Sequence, residues 1–170
     1  MKKTFLALFI MLSFVVTASA QQIYNVKTSD KADGKFEQSI GTITLAGEVL
    51  SGMKTGTWVE NFPNTELPHF IIQYTEGKKN GVTVWYSYAD KMQGPKAVMY
   101  TYVNGQFEGP QEVYYESGYL KSVKMFSGNA ANGSAYELYE DGSIKTECTY
   151  KNGEIKGKVK EYEQGKKFME

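Results

Sequence analysis

The chain contains no arginine, one cysteine, one histidine and four prolines in 170 residues. Each scarcity excludes something. All 19 basic residues are lysines and they balance 19 acids, so the net charge is zero. A nucleic-acid binder carries a basic excess and favours the arginine fork for phosphate, so that class is excluded. One Cys and one His cannot form a disulfide framework or an ordinary multi-ligand zinc site within one chain, and no cofactor or metal site is expected. Any Cys/His or Ser/His/Asp mechanism would rest on Cys148 or His69, nearly eighty residues apart. Helical stretches are also missing. After the first twenty residues, strong helix formers are always interrupted by glycine or by a β-rich segment. What remains is 41% hydrophobic and 14% aromatic, a globular composition sufficient for one ordinary domain.

The first twenty residues read as a secretory signal peptide. Met1-Lys2-Lys3 is a basic start, an apolar run follows to Thr17, and Ala18-Ser19-Ala20 supplies small residues at a cleavage site before Gln21. The apolar run is shorter than the ~20 residues that span a bilayer, so no transmembrane segment is expected after cleavage. No cysteine follows it to carry a lipid anchor. Removal of Lys2 and Lys3 leaves 17 lysines against 19 acids, a net charge of −2. Cys148 then stands alone in a disulfide-permissive compartment, and its strand-like setting suggests an inert, buried thiol.

The 17 glycines set the organisation of the rest. Many fall in pairs four apart: Gly52/Gly56, Gly77/Gly81, Gly105/Gly109 and Gly153/Gly157, with Gly128/Gly133 one residue wider. The second members are spaced by 25, 28, 24 and 24 residues, the signature of a stack of similar units. After each pair comes a strand-like run rich in aromatics, such as Val82-Thr83-Val84-Trp85-Tyr86 or Pro110-Gln111-Glu112-Val113-Tyr114-Tyr115. A turn residue follows at Asn64, Asp90, Gly118, Gly142 or Gly165, and Gly118 and Gly142 are expected at positive φ. A second run of period two then leads to the next glycine pair, which is read as a turn.

The expected fold is therefore all-β: an elongated single-sheet antiparallel meander of repeated β-hairpins. About ten strands at ~4.8 Å each give a sheet ~45 Å across. Residues 1–20 are the signal peptide, 21–50 a degenerate amino-terminal cap or worn repeat, and 51–170 the repeat domain. Within the amino-terminal segment, Ile40 to Leu45 and Glu48 to Ser51 are the stretches able to supply a capping strand or a worn unit. The turns Asn64 to His69 and Ser87 to Lys96 are expected to be longer than the others, and Pro63, Pro68 and Pro95 flank them.

Glycine-x-x-x-glycine, an aromatic strand, a glycine turn, then Leu/Ile-Lys and a closing Tyr resembles the bacterial variant of the MORN repeat. The stretches EGPQEVYYESGYLKSVKMF and KNGEIKGKVKEYEQGK carry the resemblance best, and it extends over roughly Leu50 to Lys167. It implies a MORN-like stack of hairpins. Such proteins often carry a YwqK-type, antitoxin-like label, while the export signal sets this chain apart from a cytoplasmic antitoxin.

Among individual residues, His69 reads as an ordinary turn histidine. Glu112, Glu137 and Glu161 read as related positions in a ladder of cross-strand charge pairs. The glycine pairs lack the Lys-Ser/Thr ending of a phosphate loop. Asn132-Gly133-Ser134 matches a glycosylation sequon, discounted because the signal peptide looks bacterial, and the lysine clusters read as solvated turn edges. The recurring aromatics are the remaining candidates. Trp58, Trp85, Tyr86, Tyr114, Tyr115 and Tyr139 are candidate partner-surface residues, and adjacent pairs must point to opposite faces of a strand. Packing between units is the competing explanation. The function expected is a non-enzymatic exported repeat protein that presents a sheet surface to an envelope protein. The alternative is a glycan- or peptidoglycan-binding module, and an envelope hydrolase ranks behind both. Amino-terminal sequencing of the exported protein is expected to begin at Gln21 or to be blocked by cyclisation of that glutamine. Intact Met1 on soluble cytoplasmic protein would contradict the export reading.

Overall fold

The structure is a computed structural model and describes residues 26–89 and 92–165. The expected signal segment, the turn residue Asp90 and the Lys166-Lys167 cluster lie outside the described residues. Within them the chain forms strands and turns without a helix, and none is available to cross a membrane as a long apolar helix. Eleven strands are present: β1 (Gly34–Ile40), β2 (Ile43–Leu50), β3 (Met53–Asn61), β4 (Pro68–Thr75), β5 (Lys78–Ala89), β6 (Met92–Val103), β7 (Gln106–Tyr114), β8 (Leu120–Ser127), β9 (Ala130–Leu138), β10 (Ile144–Lys151) and β11 (Glu154–Glu161). They form one open sheet in chain order, every neighbour antiparallel. The expected single-sheet meander of hairpins is the fold.

The glycine pairs divide their work in a way the spacing alone does not reveal. Only the first member turns the chain. Asn152 and Gly153 both lie in the left-handed region, at φ 53° and 86°, and Lys151 pairs with Glu154 across them. Two successive positive φ values make the type I′ turn whose twist matches that of the flanking strands. The same geometry recurs at Ser51-Gly52, Glu76-Gly77, Asn104-Gly105 and Gly128-Asn129.

The second glycine lies inside the outgoing strand and makes a bulge. Tyr100 pairs with Gln111 and Tyr102 with Phe107, so Thr101 alone faces Glu108, Gly109 and Pro110. The same shift, two residues on one strand against four on the other, occurs between β2 and β3, β4 and β5, β8 and β9, and β10 and β11. An extra-residue bulge bends the strand and increases its twist. On its other side each of the first four bulge glycines pairs with an aromatic residue: Gly56 with Tyr74, Gly81 with Tyr102, Gly109 with Phe126 and Gly133 with Tyr150.

Both sheet margins are tied from unit to unit. On the tight-turn margin, Gly77 N donates to Lys54 O (2.9 Å), Gly105 N to Lys79 O (2.7 Å) and Gly153 N to Ala131 O (2.8 Å). On the other margin, Tyr115 OH donates to Leu138 O (2.7 Å) and Tyr139 OH to Tyr162 O (3.0 Å), each reaching 23 residues ahead. Gly118 and Gly142 have φ 86° and 82°, as their turns require.

Three buried clusters lie along one face. The largest joins Val26, Phe36, Leu45, Val49, Trp58, Phe70 and Ile72; the second joins Val98, Tyr100 and Tyr102; the third joins Ala131, Ala135 and Tyr150. Trp85 packs against the first two. Val26, ahead of β1, adds cover to the first cluster, and Thr28 Oγ1 ties that segment to Gly52 O at 2.8 Å.

Two expectations are corrected. Ser87 to Lys96 is not a long turn: β5 continues to Ala89 and β6 starts at Met92, because Tyr88 pairs with Gln93 and Ala89 with Met92. Ile40 to Leu45 is not one strand, because Ile40 pairs with Ile43 around a turn at Gly41. The hairpin β1–β2 therefore makes the worn amino-terminal segment a full member of the sheet.

Gly47 is glycine for space. A Cβ there would stand 2.3 Å from the Trp58 ring, and Trp58 is fully buried, its indole N–H donating to Glu48 O and Thr55 O at 3.1 Å. Gly47→Ala is expected to destabilise by ~1–3 kcal/mol through overpacking. In a Trp58→Phe background the added cost should shrink by at least ~0.5 kcal/mol, read as coupling in a double-mutant denaturation cycle. Equal cost in both backgrounds would show that the ring does not press on residue 47.

Candidate interaction face

Strand alternation sorts the side chains into two faces. The inner face carries the buried clusters. The outer face carries a cross-strand row that register joins pair by pair: Ala46–Val59–Ile71–Val84–Met99–Glu112–Val123–Tyr136–Glu147–Lys160. Its first five members are apolar and half-buried, and span β2 to β6. From Glu112 onward the row becomes mixed and polar.

The six candidate aromatics fall into three groups. Trp58 is fully buried on the inner face, so its candidacy as a surface residue is corrected to core packing. Trp85 is half-buried on the same face, stacked on Phe70 with ring centres 5.9 Å apart and planes 12° apart. Tyr115 and Tyr139 are half-buried and commit their hydroxyls to the margin ladder. Tyr86 and Tyr114 lie on the outer face, and Trp85 and Tyr86 point to opposite sides of β5 as alternation requires.

Tyr114 anchors a polar cluster beside the apolar row. Its hydroxyl donates to the Glu112 carboxylate through a short hydrogen bond, and Lys96 Nζ donates to Tyr114 O at 3.3 Å while lying 4.6 Å from the ring centre. Burial, then the hydrogen bond and negative charge of Glu112, push the Tyr114 phenol well above its ordinary value. A patch of aliphatic side chains thus borders an ordered Lys–Tyr–Glu group.

Sequence reasoning missed a second constellation on the inner face. The Glu60 side chain is 4% exposed, and its Oε1 lies 3.4 Å from His69 Nδ1. Trp85 Nε1–H donates to His69 Nε2 at 2.8 Å. Phe62 and Phe70 flank the imidazole at 4.3 and 4.2 Å between centres. Both ring nitrogens are therefore engaged, Nδ1–H toward the carboxylate and Nε2 as acceptor, which fixes the neutral tautomer. The ordinary turn histidine of the sequence reading is a link between β3, β4 and β5. These partners are 9 and 16 residues from His69, too far apart for any local motif to reveal them.

Inner-face lysines lie against rings. Lys54 Nζ lies 4.6 Å from the Trp58 ring centre and 5.3 Å from that of Tyr74, and Lys79 Nζ lies 4.9 Å from Tyr102. Burial lowers the pKa of Lys54, and the nearby Lys79 lowers it further against an opposing pull from Glu60. Burial lowers Lys79 as well. Ring faces supply the negative potential that two desolvated ammonium groups need.

The glutamate ladder is corrected at Glu112 alone: Glu137 and Glu161 share a cross-strand row, each pairing with Thr146. Glu112 lies on the outer face with Tyr114, whereas Glu137 pairs with Thr146 and Ser122 on the inner face and forms a 3.0 Å ion pair with Lys145. The outer row that contains Glu112 continues through Tyr136, not Glu137. Cys148 is half-buried and unpaired, and burial pushes its thiol up. Among the described residues no three His, Cys, Asp or Glu side chains cluster as a metal site.

Comparison with known proteins adds no assignment: no protein-family description matches the chain, and no curated protein matches it.

Proposed function

We propose that this chain is an exported, non-enzymatic, MORN-like repeat protein whose outer sheet face docks a protein partner in the bacterial envelope. The observation that carries this reading is the unbroken apolar row Ala46–Val59–Ile71–Val84–Met99 across five strands, with no layer over it among the described residues. An apolar centre bordered by tyrosine and charged groups has the anatomy of a protein interface, and Tyr86 and the Lys96–Tyr114–Glu112 group supply that border. Aliphatic side chains offer no hydrogen bonds to a sugar, so this part of the face favours a protein over a glycan.

Other features support a non-catalytic reading. His69 has both nitrogens occupied. The raised pKa of Cys148 keeps it a thiol at neutral pH, whereas nucleophilic cysteines need a depressed one. Glu112, Glu137 and Glu147 are each bound to a tyrosine or lysine instead of facing a second carboxyl across a cleft.

The test is affinity capture from envelope extracts with the exported chain and with an Ile71→Thr/Val84→Thr variant. Threonine keeps the β-branched shape that strands favour and removes the apolar surface. A protein retained by the parent is expected to bind the variant at least about tenfold more weakly, ~1.4 kcal/mol, with little change in thermal midpoint. Undiminished capture by a folded variant would contradict the proposal.

A further inference from the structure

The hollow beneath the bulge is filled in some units and open in others, at Gly109 and at Gly157. In the second unit Gln73 reaches across it: its Oε1 accepts from Val82 N at 2.8 Å and would stand 2.0 Å from a Cβ on Gly81. In the fourth, Met125 fills the space, its Cβ 3.0 Å from where a Cβ on Gly133 would lie. In the last unit the place of Met125 falls to Thr149, 24 residues on, and nothing lies within 4 Å of a Cβ built on Gly157. Thr149 and Lys158, which flank that position, line a groove of about 180 Å³ along the polar end of the outer face, between β9, β10 and β11.

The walls of this groove are chemically distinct. Ser134 and Thr149, register partners on β9 and β10, contribute hydroxyls. Tyr136 forms another wall and is 37% exposed, among the most exposed large hydrophobic side chains described. Glu147 accepts from Lys160 Nζ at 2.6 Å and from Tyr162 OH at 2.9 Å. Those two bonds hold the Glu147 carboxyl below its ordinary range, and the same pairing raises Lys160. The Glu147–Lys160 pair is thus neutral as a unit, and exposed Lys158 leaves the groove one positive charge in excess. A cavity of this size is smaller than a drug-sized pocket and suits a single ring.

We propose that this groove binds one acidic sugar unit, with the C–H face of its pyranose ring on Tyr136, its hydroxyls at Ser134 and Thr149, and its carboxylate at Lys158. An aromatic wall buries the apolar face of a sugar while hydroxyls and an amine take its polar edge. Surplus charge at Lys158 selects a uronic acid over a neutral hexose. The site stands apart from the apolar row of β2 to β6, so its fate does not decide that of the protein-docking face.

The test is an amide-shift titration of the exported chain with glucuronate, glucose and a galacturonate trimer. Glucuronate is expected to shift Ser134, Tyr136, Thr149 and Lys158 and to saturate in the millimolar range, with glucose at least about tenfold weaker. Tighter binding of the trimer would confirm the site and identify a polyuronate chain as the source. Equal binding would confirm it and identify a free or terminal sugar. Thr149→Met restores the plug that Met125 provides one unit earlier and is expected to abolish binding with the thermal midpoint unchanged. Lys158→Gln, at an exposed position, is expected to remove the preference for glucuronate over glucose, and it carries the test alone should Thr149→Met fail to fold. Absence of shifts with glucuronate would overturn the proposal, as would shifts that persist unchanged in both folded variants.

Discussion

A single sheet with no covering layer has one physical problem: it must bury apolar side chains against itself. The glycine bulge answers it. Setting three residues opposite one lengthens one strand in five of the hairpins, and such a bulge bends its strand and increases its twist. On the face that carries the aromatics Trp58 is completely buried among Val26, Phe36, Leu45 and Val49, and Ile72, Val98 and Tyr100 come close to it. Glycine suits the bulge because it accepts positive φ, and at Gly81 and Gly133 it also leaves room for Gln73 and Met125.

The two faces of the sheet carry different tasks. The inner face spends its side chains on cohesion: rings stack on rings, lysines lie against rings, and His69 joins Glu60 to Trp85. The outer face keeps less of its surface occupied, with an aliphatic row at one end and a polar groove at the other. Cohesion is uneven along the stack. The first cluster holds seven buried residues, whereas the last holds two alanines and Tyr150. Further along the inner face stand Gln111, Ser122, Lys124, Glu137 and Thr146, residues that add little apolar burial.

Much of this architecture is legible in the sequence because it repeats. Glycine pairs at a near-constant period, aromatic runs of period two and the absence of helical stretches are sufficient for a meander of hairpins. The details that escape depend on contacts the period does not encode. Glycine spacing cannot separate a turn from a bulge, because both need positive φ. Position after the bulge glycine sets the face: Glu112 lies three residues past Gly109 and Glu137 four past Gly133, so the two look equivalent in the period yet lie on opposite faces. Trp58 looks like its counterparts in later units, yet Gly47, on a strand read only as a worn segment, gives it a place to bury. The Glu60–His69–Trp85 link joins three strands and has no local signature.

If neighbour contacts and inner-face burial set stability, opening should begin where that burial is least. Residue-resolved hydrogen exchange under native conditions measures this directly. Amides of β3 to β6, beneath the first two clusters, should be the most protected, with protection falling stepwise through β9, β10 and β11. Uniform protection across all eleven strands, or a maximum in β9 to β11, would contradict the account.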